Sequence, residues 1–588
     1  MTRIMERGTE SSPRPPKTGG PPGRHAMMPP ASPAAFLALL LAAPAAERSV
    51  EHHRKTLVAS PDPAVRREAA AAIGEANSKE AVAALVDGCR AVDERIVRLL
   101  PEKAKALEEL ETFGLSRKLK PASPAAGGGL VIDRAQYDQY QALLQRAQDV
   151  ETRIMAEEEV RRAVIAALAA MTDEAAVARM LAEMKASRLW GVRSALCEAA
   201  ARVPGDAVPP AIADRLARDS DARVRGAAAA ALGARDPAVG PALLLPGLKD
   251  TDWRVRVETL KALGLLRRRE GLDALAEALR TEEGRLRAEA RDALVRATGV
   301  DKGDSPDAWK IWLQSQPDPL PPPDSPDPSA PVADPALAPN VTVAKLYGIP
   351  VQSKRVVFLL DRSGSMSEPA AYQGEADETA VVKSGRGLPP IPPRPAGGRK
   401  WDVATWELSR VILRLPDETA FNIICFDHEH VAWQRSLTQA TPAAKKSALD
   451  FLNAIKPAGG TNLYDPLERA LGAGAVLPPP KAGPDDVDTV YIVTDGLPNL
   501  GQIPDPRTIL DKVRALNRHR RIAIHTVWVG IAPGTVRPPP PPPPPATGLD
   551  PNPPPPPPPT ITPEQEREVG ELFLRLLAEQ NGGRFVSR

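Results

Sequence analysis

The eleven residues RVVFLLDRSGS, from Arg355 to Ser365, decide the fold of the C-terminal part of this 588-residue chain. From Arg355 to Asp361 they form a short run of β-formers with no polar break, the pattern of a strand buried on both faces. The run then meets Arg362, Ser363, Gly364 and Ser365, a turn-forming set. Three further runs read the same way: AFNIICFD (420–427), DTVYIVTD (488–495) and IAIHTVWVG (522–530). Between and after them, apolar positions return at helical spacing near 401–415, 441–455, 463–475, 505–518 and 563–580. Strands alternating with helices predict a doubly wound, mostly parallel, Rossmann-like α/β sheet with helices on both faces. Ligands of such sheets bind beyond the carboxyl ends of the strands.

Side-chain oxygens gather at those ends. Asp361, Ser363 and Ser365 alternate in a tight turn and can converge on one point, with Gly364 letting the backbone bend. Thr461 lies in a glycine-flexed loop, PAGGTN (457–462), and Asp495 closes the DTVYIVTD strand. Two carboxylates and three hydroxyls suit a hard cation, Mg2+ first, with Mn2+ or Ca2+ as substitutes; with no sulfur or imidazole in the set, zinc is disfavoured. His428 and His430, beside Asp427 and Glu429, read as a polar hairpin turn between strands 420–427 and 431–437 rather than a second metal site. No nucleophile is paired to a base and no phosphate-binding Gly-rich motif with its lysine occurs, so an enzyme is not expected.

With these residues in order, the segment 343–588 resembles a von Willebrand factor A (VWA) domain from Lys354 onward, with a complete metal-ion-dependent adhesion site (MIDAS). The family pattern DxSxS falls on Asp361, Ser363 and Ser365, the family threonine on Thr461 and the family aspartate on Asp495. The resemblance implies that the serines contact the ion directly, the threonine directly or through water, and the aspartates mainly through water. It also implies that a carboxylate of a partner protein often completes the shell, and that the last helix, Glu564 to Glu579 here, moves between affinity states. Two insertions, 368–398 and 531–563, depart from a minimal domain. The second carries the proline runs Pro538–Pro545 and Pro553–Pro559, and both insertions are expected to frame the metal face.

Upstream, residues 50–313 are rich in Ala, Leu and Arg and repeat. Val160, Val192, Val224, Val255 and Leu286 recur every 31 or 32 residues, each followed by arginine, with Leu168, Ala200, Leu232, Leu263 and Leu294 eight residues on. Val65, Arg66 and Ile73 read as an earlier copy. Helix pairs of this period must stack into an α-solenoid to bury their apolar faces. DSDARVRGAAAAALGARDPAVGPALL (219–244) resembles HEAT repeats of the short bacterial type, which implies a binding scaffold. The arginine column is expected to pair with acids at repeat turns such as Asp219 and Asp250. Between about 85 and 155, two charged helical stretches around PASPAAGGG (121–129) predict a helical hairpin projecting from the array. TGVDKGDSPDAWKIWL (298–313) resembles the Trp-containing tail of such arrays, with Trp309 and Trp312 capping the last core. Residues 314–342, little but Pro, Asp, Ser and Ala, read as a semi-rigid linker.

Residues 1–46 are basic and Pro-rich, then apolar (AAFLALLLAAPAA, 34–46), a pattern matching a secretory signal, with an uncleaved membrane anchor as the alternative. Lys and Arg number 76 against 74 Asp and Glu, so no chain-wide field draws nucleic acid. The readings combine into a multidomain, exported, non-enzymatic adhesion or scaffold protein. Its VWA domain takes an acidic residue of a protein ligand through Mg2+, and the repeats offer a second partner surface. The alternative is an intracellular assembly factor whose VWA site engages a AAA+ ATPase, as in chelatase-type complexes.

Overall fold

The period of 31 to 32 residues becomes a stack of helices. Val160, Val192, Val224 and Val255 are fully buried and Leu286 nearly so, as are Leu168, Ala200, Leu232, Leu263 and Leu294 two turns on. The arginine column does what its position predicts. Arg193 donates to both carboxylate oxygens of Asp219 (2.8 Å each) and Arg225 to both of Asp250 (2.6 and 2.8 Å). Asp219 and Asp250 also accept the backbone N–H groups of Asp221 and Asp252, so each arginine ties its helix to the next repeat's turn. The copy at 65 keeps its buried, acid-paired arginine and its core isoleucine and departs only at the valine. Val65 is exposed and Arg66 is fully buried, pairing through both nitrogens with Glu157 (2.6 Å each). Ile73 keeps its place in the core. At the far end Trp309 is fully buried, donates Nε1 to the Gly303 carbonyl (2.8 Å) and meets Trp312 edge-on, capping the array.

The computed structural model describes residues 49–116, 134–235, 240–321, 344–371, 395, 398–472, 486–530 and 563–588. The leader reading, the hairpin tip with PASPAAGGG, linker residues 322–343, most of the 368–398 insertion and both proline runs lie outside them. Residues just past helix Pro306–Gln314 stay on the solenoid: Leu320 is buried and donates its N–H to the Arg267 carbonyl (3.0 Å). The linker reading, which began at 314, took these as spacer.

Two long helices, α1 (Lys79–Ser116) and α2 (Arg134–Ala169), form the hairpin expected between 85 and 155. It does not stand free. Lys103 of α1 and Glu151 of α2 are buried against the C-terminal domain.

That domain begins with a small antiparallel ribbon, β1 (Lys345–Leu346) and β2 (Ile349–Pro350). Its main sheet holds β3 (Arg355–Asp361), β4 (Ala420–Phe426), β5 (His430–Ala432), β6 (Thr438–Gln439), β7 (Thr489–Thr494), β8 (Ala523–Trp528) and β9 (Phe585–Ser587). The order is β5-β4-β3-β7-β8-β9, parallel from β4 to β9, with β5 and β6 antiparallel to β4. The four runs read as parallel strands are all present; the hairpin strand read at 431–437 shrinks to β5, and the short β1, β2, β6 and β9 were not foreseen. Helices α3 (Lys400–Arg414) and α4 (Pro442–Ala454) cover one face, packing Leu408, Ile412 and Leu452 on Phe358 and Leu360. Helices α5 (Tyr464–Ala470), α6 (Pro506–Asn517) and α7 (Pro563–Gln580) cover the other, with Leu467, Val513 and Leu577 on Leu359 and Ile492. The layout is therefore an α-solenoid followed by a doubly wound α/β domain.

Solenoid and domain form one compact unit from Val50 to Arg588. Arg518 donates to Glu198 (2.5 and 2.9 Å), Lys354 pairs with Glu283 (2.5 Å), Arg584 with Asp292, and Trp190 meets His519 edge-on at 5.2 Å. The edge strand β9 depends on a close approach: a Cβ at Gly583 would overlap the Ile524 carbonyl of β8. Gly583→Ala is expected to cost about 1–3 kcal/mol, since the backbone must part to admit the methyl. An unchanged urea midpoint for that variant would contradict this account of the edge.

Candidate metal centre

Strands β3 and β7 are neighbours in register, so Asp361 and Asp495 come to the same edge of the sheet. Asp361, fully buried, accepts the Ser363 N–H (2.7 Å) on one oxygen and the Thr494 hydroxyl (2.5 Å) on the other. The turn is thereby folded back over the strand end. Ser363 and Ser365 place their Oγ atoms 3.0 Å apart, and Ser365 donates to Asp495 Oδ1 (2.8 Å). The loop carrying Thr461 is pulled in by backbone bonds: the Gly364 N–H donates to the Gly459 carbonyl (2.9 Å), with Gly459 at φ +77°, a conformation that favours glycine. Asn499 accepts the Thr461 N–H (2.9 Å), and Thr461 Oγ1 lies against the Asp495–Gly496 turn. All five oxygen-bearing residues named from the sequence are thus brought together.

Their chemistry suits a small divalent cation. Octahedral ligands about 2.1 Å from Mg2+ stand about 3.0 Å apart when adjacent, which is the spacing of the two serine hydroxyls. Among the described residues no three His, Cys, Asp or Glu side chains form a metal-binding cluster, so hydroxyls would share the work with the two carboxylates. Burial, and then the negative charge of Asp495, push the Asp361 carboxyl up to about 7. Two buried carboxylates this close call for positive charge.

Part of that charge comes from a residue the sequence reading passed over. Lys400, at the start of α3, is almost completely buried and donates to Asp495 Oδ2 (2.7 Å) and Glu368 Oε2 (2.8 Å). Its lysine-tryptophan context resembles any helix start, so only the fold reveals it. Thr494 stood at the strand end in the sequence reading but was given no role, and Asn499, in the loop after β7, was missed because nothing local marks it.

The other clusters have structural roles. β4 and β5 pair antiparallel, and the turn between them is closed by Glu429 N–H donating to Asp427 (2.8 Å) and by an Arg362–Asp427 ion pair (3.1 Å). Burial, together with Arg469, pushes His430 down to about 4. Two cavities of about 500 and 810 Å³ lie between solenoid and domain, and none of the five oxygen donors lines either.

Known proteins share these parts. The family model for von Willebrand factor type A domains matches residues 404–534, that for HEAT repeats 241–311, and that for PBS lyase HEAT-like repeats 65–90. The first starts beyond the Asp361 turn, which the structure places beside the matched strands β4 and β7. The chain is 28% identical to mouse (Mus musculus) inter alpha-trypsin inhibitor, heavy chain 4, over 171 residues, covering 28% of this chain and 14% of that protein. It is 24% identical to human (Homo sapiens) von Willebrand factor A domain-containing protein 3A over 183 residues, 31% of this chain and 12% of that one. The matched segment thus spans less than a fifth of either relative's length. A solved aerotolerance-related membrane protein from Bacteroides fragilis is 15% identical, covering 40% of this chain and 90% of that chain, at a TM-score of 0.23, too low to bear on the fold.

Proposed function

We propose that this chain, which joins HEAT-type repeats to a VWA domain, is a metal-dependent binding protein rather than an enzyme. One observation carries the reading: Asp361, Ser363, Ser365, Thr461 and Asp495 converge beyond the carboxyl ends of β3 and β7, with the serine hydroxyls at the spacing of adjacent octahedral ligands. Ser363, Ser365 and Thr461 would hold Mg2+ directly, and Asp361 and Asp495 would orient its shell. The ion would supply a positive centre for an anionic oxygen, most naturally a carboxylate of a protein partner. HEAT repeats and VWA domains are both protein-interaction modules, and the solenoid's outer surface is the natural second partner site. Export fits an adhesive role and rests on the apolar run 34–46; among the described residues no helix is long and apolar enough to cross a membrane.

Calorimetric titration of the full chain with MgCl2 tests the site. Saturable uptake is expected, together with Mg2+-dependent, chelator-sensitive binding of a glutamate-bearing probe peptide. Absence of heat with both Mg2+ and Mn2+ would sink the proposal.

A further inference from the structure

Lys400 sits where a metal site's charge balance is set. Its side chain is 1% exposed, that of Asp495 0% and that of Glu368 23%. Its backbone N–H also donates to the Glu368 carbonyl (2.9 Å), and Pro369 bridges Arg399 in antiparallel fashion. The ammonium is therefore held from two directions and is almost wholly buried. We propose that Lys400 is a built-in counter-cation of the metal centre: it keeps Asp495 in place when no ion is bound, and it weakens divalent binding so that firm occupancy depends on an anionic partner. The inference rests on the metal reading above.

The two effects share one cause. A fixed positive charge next to Asp495 relieves the repulsion between buried carboxylates, and the same charge repels a divalent ion anchored beside that carboxylate. Ion and lysine compete for the same negative field. An incoming carboxylate restores the balance, so ion and ligand should bind cooperatively.

The test is calorimetric titration of the full chain with MgCl2 alone, at low ionic strength where such charges are least screened. Lys400→Met is expected to bind Mg2+ about tenfold more tightly than the wild type, and Lys400→Arg, which keeps the charge, within about twofold of it. Glu368→Gln leaves the ammonium less balanced and is expected to weaken Mg2+ severalfold. In chelator, Lys400→Met should melt below the wild type, and Mg2+ should raise its midpoint by more. Unchanged or weaker Mg2+ binding in Lys400→Met overturns the inference while leaving the metal reading intact. If that variant fails to fold, Glu368→Gln decides by itself: tighter or unchanged binding there overturns the inference equally. A wild-type chain that takes up no Mg2+ removes the metal reading, and this inference with it.

Discussion

Glu151→Ala is expected to destabilise the chain by about 3–5 kcal/mol, because it breaks a buried cluster of charges without replacing it. Glu151 and Lys103 of the hairpin meet Glu468 of α5 and Lys512 of α6, each side chain no more than 4% exposed. Lys103 pairs with Glu151 (2.8 Å) and Glu468, Lys512 pairs with Glu151, and the Tyr464 hydroxyl donates to Glu468 (3.1 Å). Two ammoniums face two carboxylates. Remove Glu151 and Lys103 keeps only Glu468, while the almost fully buried Lys512 loses its carboxylate. Burial works against the charged form of Glu151, but Lys512 and then Lys103 outweigh it and hold its carboxyl below the ordinary 4.5. A carboxyl depressed in the folded state adds stability above its unfolded value, and that gain is lost as pH falls. The stability gap between wild type and Glu151→Gln should therefore be full above pH 4.5 and narrow in acid. Urea unfolding at neutral pH checks the first statement; a loss below about 1 kcal/mol would mean the cluster is not what joins hairpin to domain.

Asp361→Asn is expected to abolish Mg2+ uptake, lowering affinity at least about a hundredfold, while leaving the fold intact in chelator. The carboxylate is fully buried at the end of the central strand, where its oxygens receive the Ser363 N–H and the Thr494 hydroxyl. Asparagine keeps the shape and one acceptor, but removes one of the two negative charges that would hold the ion. It also removes the repulsion between Asp361 and Asp495, so stability without metal should not fall much. Loss of the Mg2+-induced rise in melting temperature, with the chelator baseline near that of the wild type, is the signature. Wild-type Mg2+ affinity in this variant would show that the ion, if any, is held elsewhere.

Both predictions concern residues brought together from far apart, yet they differ in how visible they were. Asp361, Ser363, Ser365, Thr461 and Asp495 could be named from the linear chain because each stands at the end of a strand or in a glycine-bent loop, and strand ends of a parallel sheet share one edge. The arginine column was equally open to reading: its partners Asp219 and Asp250 recur with the same period as the helices. Val65 misled because periodicity does not say how a helix is turned in the stack: in Pro63–Glu75 it is Arg66 that faces inward, against Glu157. Lys103, Glu151, Glu468 and Lys512 carry no such mark. Charged residues on long helices are usually solvated, and the hairpin was accordingly expected to project.

Local rules thus reached as far as elements, repeat register and oxygen ligands, because hydrophobic period and strand-end chemistry are properties of neighbouring residues. The docking of solenoid on domain, the buried four-charge joint and the ammonium of Lys400 beside Asp495 belong to the folded chain alone. Each depends on which surfaces exclude water, and burial of a charge is settled by the packing of distant segments, not by the residues on either side of it.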